Sequence, residues 1–236
     1  MARSRRARRS RPPAKAEPVN AAGRTLVVAL MLLSGASGLI LELTWTRMLG
    51  LLFGVSVYAV STVVAAFLLG MAIGGLAGGR MDRWGMSPMR LLGWLHFGVA
   101  LGVLALLLLY PWLREGWLGV HRWLGVGTVG TKLVGPLLAL GVLAVPTTLL
   151  GATLPVAARV VLREADHVGR DLGFLYGAGT LGGVAGCLAT VFWLLDACGT
   201  RGTVLVAAAL AALVGGVAVA ADRRTPREPE EVTEGT

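Results

Sequence analysis

The sequence predicts an all-α integral membrane protein with six transmembrane helices. Hydrophobic residues make up 55% of the 236-residue chain and charged residues 15%, whereas a soluble domain carries about 25% charged residues. Several runs carry no charge over roughly 18 residues or more, the length that a helix needs to cross about 30 Å of hydrocarbon. The 34 glycines suit the close helix packing that is typical in lipid.

The apolar runs divide the predicted membrane domain, residues 25–221, into six helices. Residues 1–24 form a basic cytoplasmic tail, and residues 222–236 form a charged cytoplasmic tail that we expect to be disordered. The predicted helices are Thr25–Leu43, Val55–Gly79, Leu91–Leu113, Leu133–Pro155, Leu172–Leu195 and Thr203–Ala221.

The distribution of Lys and Arg predicts the orientation. If the N-terminus lies inside, the cytoplasmic segments hold 17 of the 22 Lys and Arg residues. Because positive residues accumulate on the cytoplasmic side of membrane proteins, both termini are predicted to lie inside.

The formal net charge of +9 does not indicate a nucleic-acid-binding protein. The excess lies mostly between Arg3 and Lys15, where it serves as a topology signal and is attracted to anionic lipid. No basic surface with interleaved aromatic side chains is visible. The lipid bilayer is therefore the first predicted partner.

No residue pattern points to catalysis or to a cofactor. His96, His121 and His167 lack the spacing of metal ligands. Cys187 and Cys198 would lie roughly 16 Å apart along a helix, beyond disulfide reach. We therefore expect no catalytic site, cofactor or metal in this chain.

Two weak sequence matches indicate an internal repeat. Tyr58–Thr62 and Tyr176–Thr180 both fit Y-x-x-small-T, 118 residues apart, and Gly-Ala pairs recur at positions 35–36 and 151–152. Three spans per unit would invert the second unit relative to the first, which predicts a 3+3 inverted repeat. Chance similarity between Gly/Ala-rich helices is the alternative.

Glycines recur at intervals of four in predicted helices 2 and 5, as Gly70, Gly74 and Gly78 and as the pairs 179/183 and 182/186. Such ladders allow two helix backbones to approach closely. They indicate either packing within the chain or a homodimer formed through helices 2 and 5.

The predicted loop between helices 2 and 3 contains Gly78, Asp82, Arg83 and Gly85 in the order G-x-x-x-D-R-x-G. This resembles the cytoplasmic signature of major-facilitator transporters, and the predicted fold resembles half of such a transporter. The basic pair that usually follows Gly85 is absent, so an ordinary charged turn is the alternative.

Glu42, Trp45 and Arg47 lie at the end of predicted helix 1, and an ionisable group in a membrane is a candidate functional site. Glu42 lies roughly 25 Å from the inner face at 1.5 Å per residue, in the outer leaflet. It either forms an ion pair with Arg47 or another helix, or binds a proton or cation. For Trp45 an interfacial anchor is favoured over a stacking platform.

The remaining candidates for ligand binding or helix pairing carry hydroxyl groups on predicted helices 2, 4 and 5. They are Tyr58, Thr62, Thr147, Thr148, Tyr176 and Thr180. Pro146 and Pro155 are expected to break or end helix 4.

Five ordered segments together resemble the membrane region of bacterial fused major-facilitator/spermidine-synthase-like proteins. They are SGASGLILELTWTRMLGLLFG, YAVSTVVAAFLLGMAIGG, GRMDR, PTTLLGATLPVAAR and GFLYGAGTLGGVAG. The resemblance covers about residues 25–215 and implies a multi-pass protein of the bacterial cytoplasmic (inner) membrane. Members of that family often carry Asn where Gly179 stands, which removes a polar side chain here.

The resemblance leaves two classes of function open, beside that of a structural scaffold that binds no ligand. In that family an aminopropyltransferase-like domain commonly follows the membrane region, and the sequence to Thr236 shows none. We expect a non-catalytic membrane partner or anchor for a separately encoded soluble spermidine-synthase-like enzyme. The alternative is a half-transporter that works as a homodimer for a small, polyamine-like cationic solute.

Overall fold

A computed structural model of the protein describes residues 21–53, 57–81, 85–124, 129–161 and 168–224. These residues are helical apart from short turns, and they contain no β-strand. The elements are α1 (Ala21–Phe53), α2 (Val57–Gly78), α3 (Pro88–Leu124), α4 (Val129–Gly151), α5 (Thr153–Val161), α6 (Val168–Ala189), a π-helical turn (Thr190–Leu194) and α7 (Leu195–Arg224). The predicted all-α class is confirmed.

Five joined helical segments in the described ranges are long and apolar enough to cross a membrane. They are Ala22–Leu52, Val60–Gly78, Pro88–Val120, Leu137–Val161 and Val168–Arg223. Their outward faces carry large apolar side chains: Leu108 is 75% exposed and Leu181 is 67% exposed. A soluble protein rarely exposes so much apolar surface, whereas lipid accepts it.

The last of these segments has 56 residues, which is roughly 84 Å of helix where one span needs about 30 Å. Its backbone leaves the helical conformation at Gly199, with φ 64° and ψ −179°. Such a combination is essentially restricted to glycine. The two parts on either side of Gly199 are the fifth and sixth predicted spans, and the count of six stays a prediction.

The predicted end of helix 1 at Leu43 was wrong, because α1 runs on to Phe53. The hydroxyl groups of Thr44 and Thr46 donate to the carbonyl oxygens of Ile40 and Glu42, four residues earlier. These polar side chains are therefore satisfied inside the helix and do not end it.

Helix 4 ends close to the predicted Pro155, but the predicted break at Pro146 was wrong, because α4 runs through Pro146 to Gly151. The helix is interrupted at Ala152 and resumes as α5 at Thr153, so Pro155 is the third residue of a helix. The first backbone N–H groups of a helix have no partner within it, so the missing N–H of proline costs nothing there.

The helices pack mainly as three pairs: α1 with α6, α2 with α4, and α3 with α7. Two hydrophobic clusters fill the space between them. One cluster includes Trp45, Phe67 and Ala207, and the other includes Met31, Leu92 and Val214. Because both clusters join residues from both ends of the sequence, the described helices form one packed body.

Candidate functional site: a cavity between two helix pairs

The α1/α6 pair is in contact from backbone to backbone. A Cβ atom at Gly182 would lie 1.8 Å from the carbonyl oxygen of Leu32, and one at Gly186 would lie 2.4 Å from that of Ala36. A Cβ at Gly35 would lie 1.9 Å from the carbonyl oxygen of Gly179. No residue larger than glycine fits these positions without a shift of a helix.

The α2/α4 pair is equally close. A Cβ at Gly74 would lie 1.9 Å from the carbonyl oxygen of Thr148, and one at Gly151 would lie 2.3 Å from that of Met71. At Gly70 the obstacle is the side chain of Thr147, at 1.8 Å. The glycine ladders thus pack helices within the chain, and a homodimer through α2 and α6 would have to use other faces of these helices.

A cavity of about 680 Å³ lies between the two pairs. Its wall consists almost wholly of apolar side chains and glycines from α1, α2, α4, α5 and α6, and none of the described residues that line it is Asp, Glu, Lys, Arg or His. The polar side chains that line it are Ser34, Thr153, Tyr176, Thr180 and Cys187. Tyr176, Val184 and Leu188 are also exposed at the surface of the described structure, so the cavity is open on the α6 side.

His96, in the first third of α3, contacts Ser34 of the cavity wall. Its ring is fully buried, with Nδ1 2.9 Å from the carbonyl oxygen of Leu92 and Nε2 2.9 Å from Oγ of Ser34. Sequence reasoning missed His96 because it tested histidines only for metal-ligand spacing. The signal that could have found it is a lone ionisable residue inside a long apolar run.

Polar contacts join the helices at the end of the molecule that is predicted to be cytoplasmic. Arg24 of α1 forms an ion pair with Asp171 of α6, and Arg90 of α3 forms one with Asp222 of α7 at 3.4 Å. Ser87 also donates to Asp222. Arg159 at the end of α5 donates to the carbonyl oxygen of Gly78 at the end of α2, at 2.6 Å.

Glu42 and Arg47 do not form the predicted ion pair. The ion pairs between described residues are Arg24–Asp171, Arg90–Asp222 and Arg114–Glu115. The reason is that α1 is a continuous helix here, and residues five apart lie on different faces. Glu42 is half-buried and Arg47 is exposed, and neither lines the cavity.

Trp45 is buried in the core, with 4% of its surface exposed. It packs in the same cluster as Met48, Val103 and Leu143. The interfacial-anchor interpretation was therefore wrong, because the face of α1 that carries Trp45 is turned toward the other helices.

The other predicted site residues are dispersed. Tyr176 and Thr180 line the cavity. Thr147 is buried and donates to the carbonyl oxygen of Leu143 at 2.7 Å, while Thr148 packs its backbone against Gly74. Thr62 is half-buried on α2 and lies outside the set that lines the cavity.

The predicted loop motif is described only in part. Asp82, Arg83 and the side chain of Tyr58 lie outside the described residues. Gly78 accepts the hydrogen bond from Arg159, and Gly85 has a positive φ of 62°, which favours glycine at that turn.

Comparison with known proteins gives one informative similarity. The chain is 31% identical over 211 residues to the protein named polyamine aminopropyltransferase 2 of Streptomyces coelicolor. The match covers 88% of this chain and 36% of that relative, so the chain spans about a third of the relative's length. No protein-family model matches the chain, and no solved structure matches it.

Proposed function

We propose that this chain is the membrane module of a polyamine aminopropyltransferase-like system and holds an aminopropyltransferase at the cytoplasmic face of the membrane. The observation that carries the proposal is the match to a protein named as such an enzyme, over a region that consists here of apolar helices long enough to span a membrane. Within the described residues no cluster of His, Cys, Asp or Glu could hold a metal ion.

Affinity purification tests the proposed partner. The tagged chain would be expressed with each separately encoded aminopropyltransferase-like enzyme of its host, cross-linked in membranes and purified. We expect one such enzyme to be recovered in a defined ratio. Recovery of none of them, with cross-linking as well as without, would refute the proposal.

Charge reversal supplies a matched pair of variants. Arg80 and Arg170 are exposed at the end predicted to be cytoplasmic, and Arg114 and Arg201 are exposed near the opposite end. Reversal of the first pair to Glu should reduce recovery of the enzyme, because the enzyme would dock there. Reversal of the second pair should leave recovery unchanged.

We also propose that the chain crosses the membrane six times as two inverted units of three helices. Three close contacts in one glycine-packed pair have counterparts in the other, and this correspondence supports the arrangement. Contacts 32–182, 35–179 and 36–186 correspond to contacts 148–74, 151–71 and 152–78. Corresponding residues in the first helices of the two units are always 116 positions apart in the sequence. Corresponding residues in the second helices are always 108 positions apart.

This register differs from the one that the tyrosine motif suggested. Tyr58 and Tyr176 are 118 residues apart, ten more than the offset of the glycine contacts between α2 and α6. The tyrosine match therefore does not align equivalent turns in the proposed repeat. Gly74 and Gly182 are equivalent instead, and so are Gly78 and Gly186.

A half-transporter is the second candidate function, and the cavity favours it. Inverted-repeat transporters bind solutes at the interface between their repeats, and this cavity lies between the two pairs that the proposed repeat relates. Because the cavity is open on the α6 side, a second copy of the chain would have to cover that side to enclose a path for the solute.

Uptake into proteoliposomes tests this candidate. Gly179 lines the cavity, and a Cβ there would meet only ordinary contacts with Met31 at 3.7 Å, so Gly179→Leu should fill the cavity and abolish uptake. Gly177→Leu is the matched control, because a Cβ at Gly177 has nothing within 4 Å. Strictly monomeric protein in bilayers, counted by single-molecule photobleaching, would exclude the homodimer.

A further inference from the structure

We propose that the cavity binds an uncharged, largely apolar small molecule that donates a hydrogen bond to Ser34, such as an alcohol, an amide or a neutral amine. The inference concerns occupancy of the cavity alone. It stands whether the module anchors an enzyme or carries a solute, and it fails independently of both.

The hydrogen bonds of His96 determine the role of Ser34. A carbonyl oxygen can only accept, so the contact between Nδ1 and Leu92 places a proton on Nδ1. A second proton on Nε2 would create a fully buried cation with no acidic partner among the described residues, which is costly. Nε2 is therefore an acceptor, and the Ser34 hydroxyl donates its proton to it.

Two threonine hydroxyl groups in the cavity wall also donate their proton to a neighbouring group of the protein. Thr153 donates to the carbonyl oxygen of Leu150 at 2.6 Å, and Thr180 donates to that of Tyr176 at 2.9 Å. Each hydroxyl has one proton and two lone pairs. Ser34, Thr153 and Thr180 thus present only oxygen lone pairs to a ligand, and a ligand that forms hydrogen bonds with them must be a donor.

None of the described residues in the cavity wall is charged, and this limits the ligand further. A protonated polyamine carries several charges, and each charge removed from water needs a counter-charge or strong hydrogen bonds. Ser34, buried at 4% exposure, and the hydroxyl groups of Thr153 and Thr180 are uncharged acceptors in an otherwise apolar surface. The cavity therefore suits an uncharged donor better than the cationic solute that the sequence suggested.

The two cysteines provide a built-in measurement. Cys187 lines the cavity, while Cys198 is exposed beyond it. The full chain in lipid nanodiscs would be treated with methyl methanethiosulfonate, and mass spectrometry of peptides would give the labelling rate at each cysteine. A ligand in the cavity slows labelling at Cys187, and the rate at Cys198 reports any general effect on the bilayer.

Hexan-1-ol and its isomer 1-methoxypentane form a matched pair of probes, because only the alcohol donates a hydrogen bond. We expect hexan-1-ol to protect Cys187 at about tenfold lower concentration, as one hydrogen bond of ordinary strength implies. Ser34→Ala should abolish this difference. Ser37→Ala is the control, since Ser37 is buried in the same helix and donates to Ala207 instead.

Several results would overturn the proposal: equal protection by the two isomers in the wild-type protein, a difference that persists in Ser34→Ala, or protection by spermidine at a lower concentration than by hexan-1-ol. Failure of Cys187 to react while Cys198 reacts would also overturn it, because small molecules would then not reach the cavity. The comparison of the two isomers uses only the wild-type protein, so it tests the proposal even if a variant fails to fold.

Discussion

The backbone of α6 at Gly182 rests on the carbonyl group of Leu32 in α1, and a Cβ at position 182 would lie 1.8 Å from that oxygen. The contact between Gly74 of α2 and the carbonyl oxygen of Thr148 in α4 is equally close, at 1.9 Å from a Cβ at position 74. These contacts hold the two pairs on either side of the cavity. They therefore fix the two helix pairs that form the walls of the cavity.

Gly182→Ala should lower the free energy of unfolding by about 1–3 kcal/mol, the usual cost of overpacking. The obstacle is backbone, so α1 and α6 must move apart. Unfolding in mixed detergent micelles measures the loss. Gly177→Ala is the control on the same helix, where a Cβ meets nothing within 4 Å, and equal stability of both variants would contradict the packing argument.

Gly199→Ala should also destabilise the protein, by about 1–3 kcal/mol, for a different reason. A Cβ there has nothing within 4 Å, so the cost comes only from the backbone conformation at φ 64° and ψ −179°. Gly216→Ala has equal space and no positive φ, and alanine should raise stability there by up to about 1 kcal/mol. A harmless Gly199→Ala would show that the chain does not need this bend.

Green fluorescent protein fused to the C-terminus should fluoresce. Green fluorescent protein matures in the cytoplasm, and a chain with a cytoplasmic N-terminus and six spans also ends in the cytoplasm. A membrane-impermeant maleimide applied to intact cells should label Cys198. In a second variant, Cys198 is replaced by Ser and Ser87 by Cys. The same reagent should label the cysteine at position 87 only after the cells are permeabilised. A dark fusion would support five spans.

The Arg24–Asp171 ion pair should show an asymmetric response to substitution. Arg24 is 47% exposed and Asp171 is 10% exposed. Arg24→Met leaves a buried carboxylate without its partner and should cost about 1–3 kcal/mol. Asp171→Asn leaves an exposed cation and should cost less than about 1 kcal/mol.

A double-mutant cycle in mixed micelles measures the coupling between Arg24 and Asp171. The control pair is Arg114–Glu115, whose side chains are 58% and 69% exposed, and its coupling should be close to zero. Equal coupling in the two pairs would mean that burial of Asp171 does not matter.

Glu42→Gln should leave the protection of Cys187 by hexan-1-ol unchanged, because Glu42 is not among the residues that line the cavity. The titration described for Ser34→Ala gives the comparison directly. A loss of protection in Glu42→Gln would contradict this expectation and would show that the carboxyl group of Glu42 takes part in ligand binding.

Local patterns predicted those features that depend on only one helix. The apolar runs gave the membrane character, because the length of a run and the thickness of a bilayer are enough to decide it. The glycine spacing in α2 and α6 predicted close packing, but it did not say against what. Gly182 meets α1 and Gly74 meets α4, and both partners lie far away in the sequence.

The sequence by itself determined the helical, membrane-type character of this chain, with glycine faces on α2 and α6 and candidate hydroxyls on α2, α4 and α6. Only the tertiary structure decided that Tyr176 and Thr180 share a cavity with Ser34 while Glu42 stays outside it. The physical reason is that hydropathy and spacing are properties of one segment, whereas a cavity exists between segments. The bond between His96 and Ser34 joins residues 62 positions apart, and only the packing of α3 against α1 brings them together.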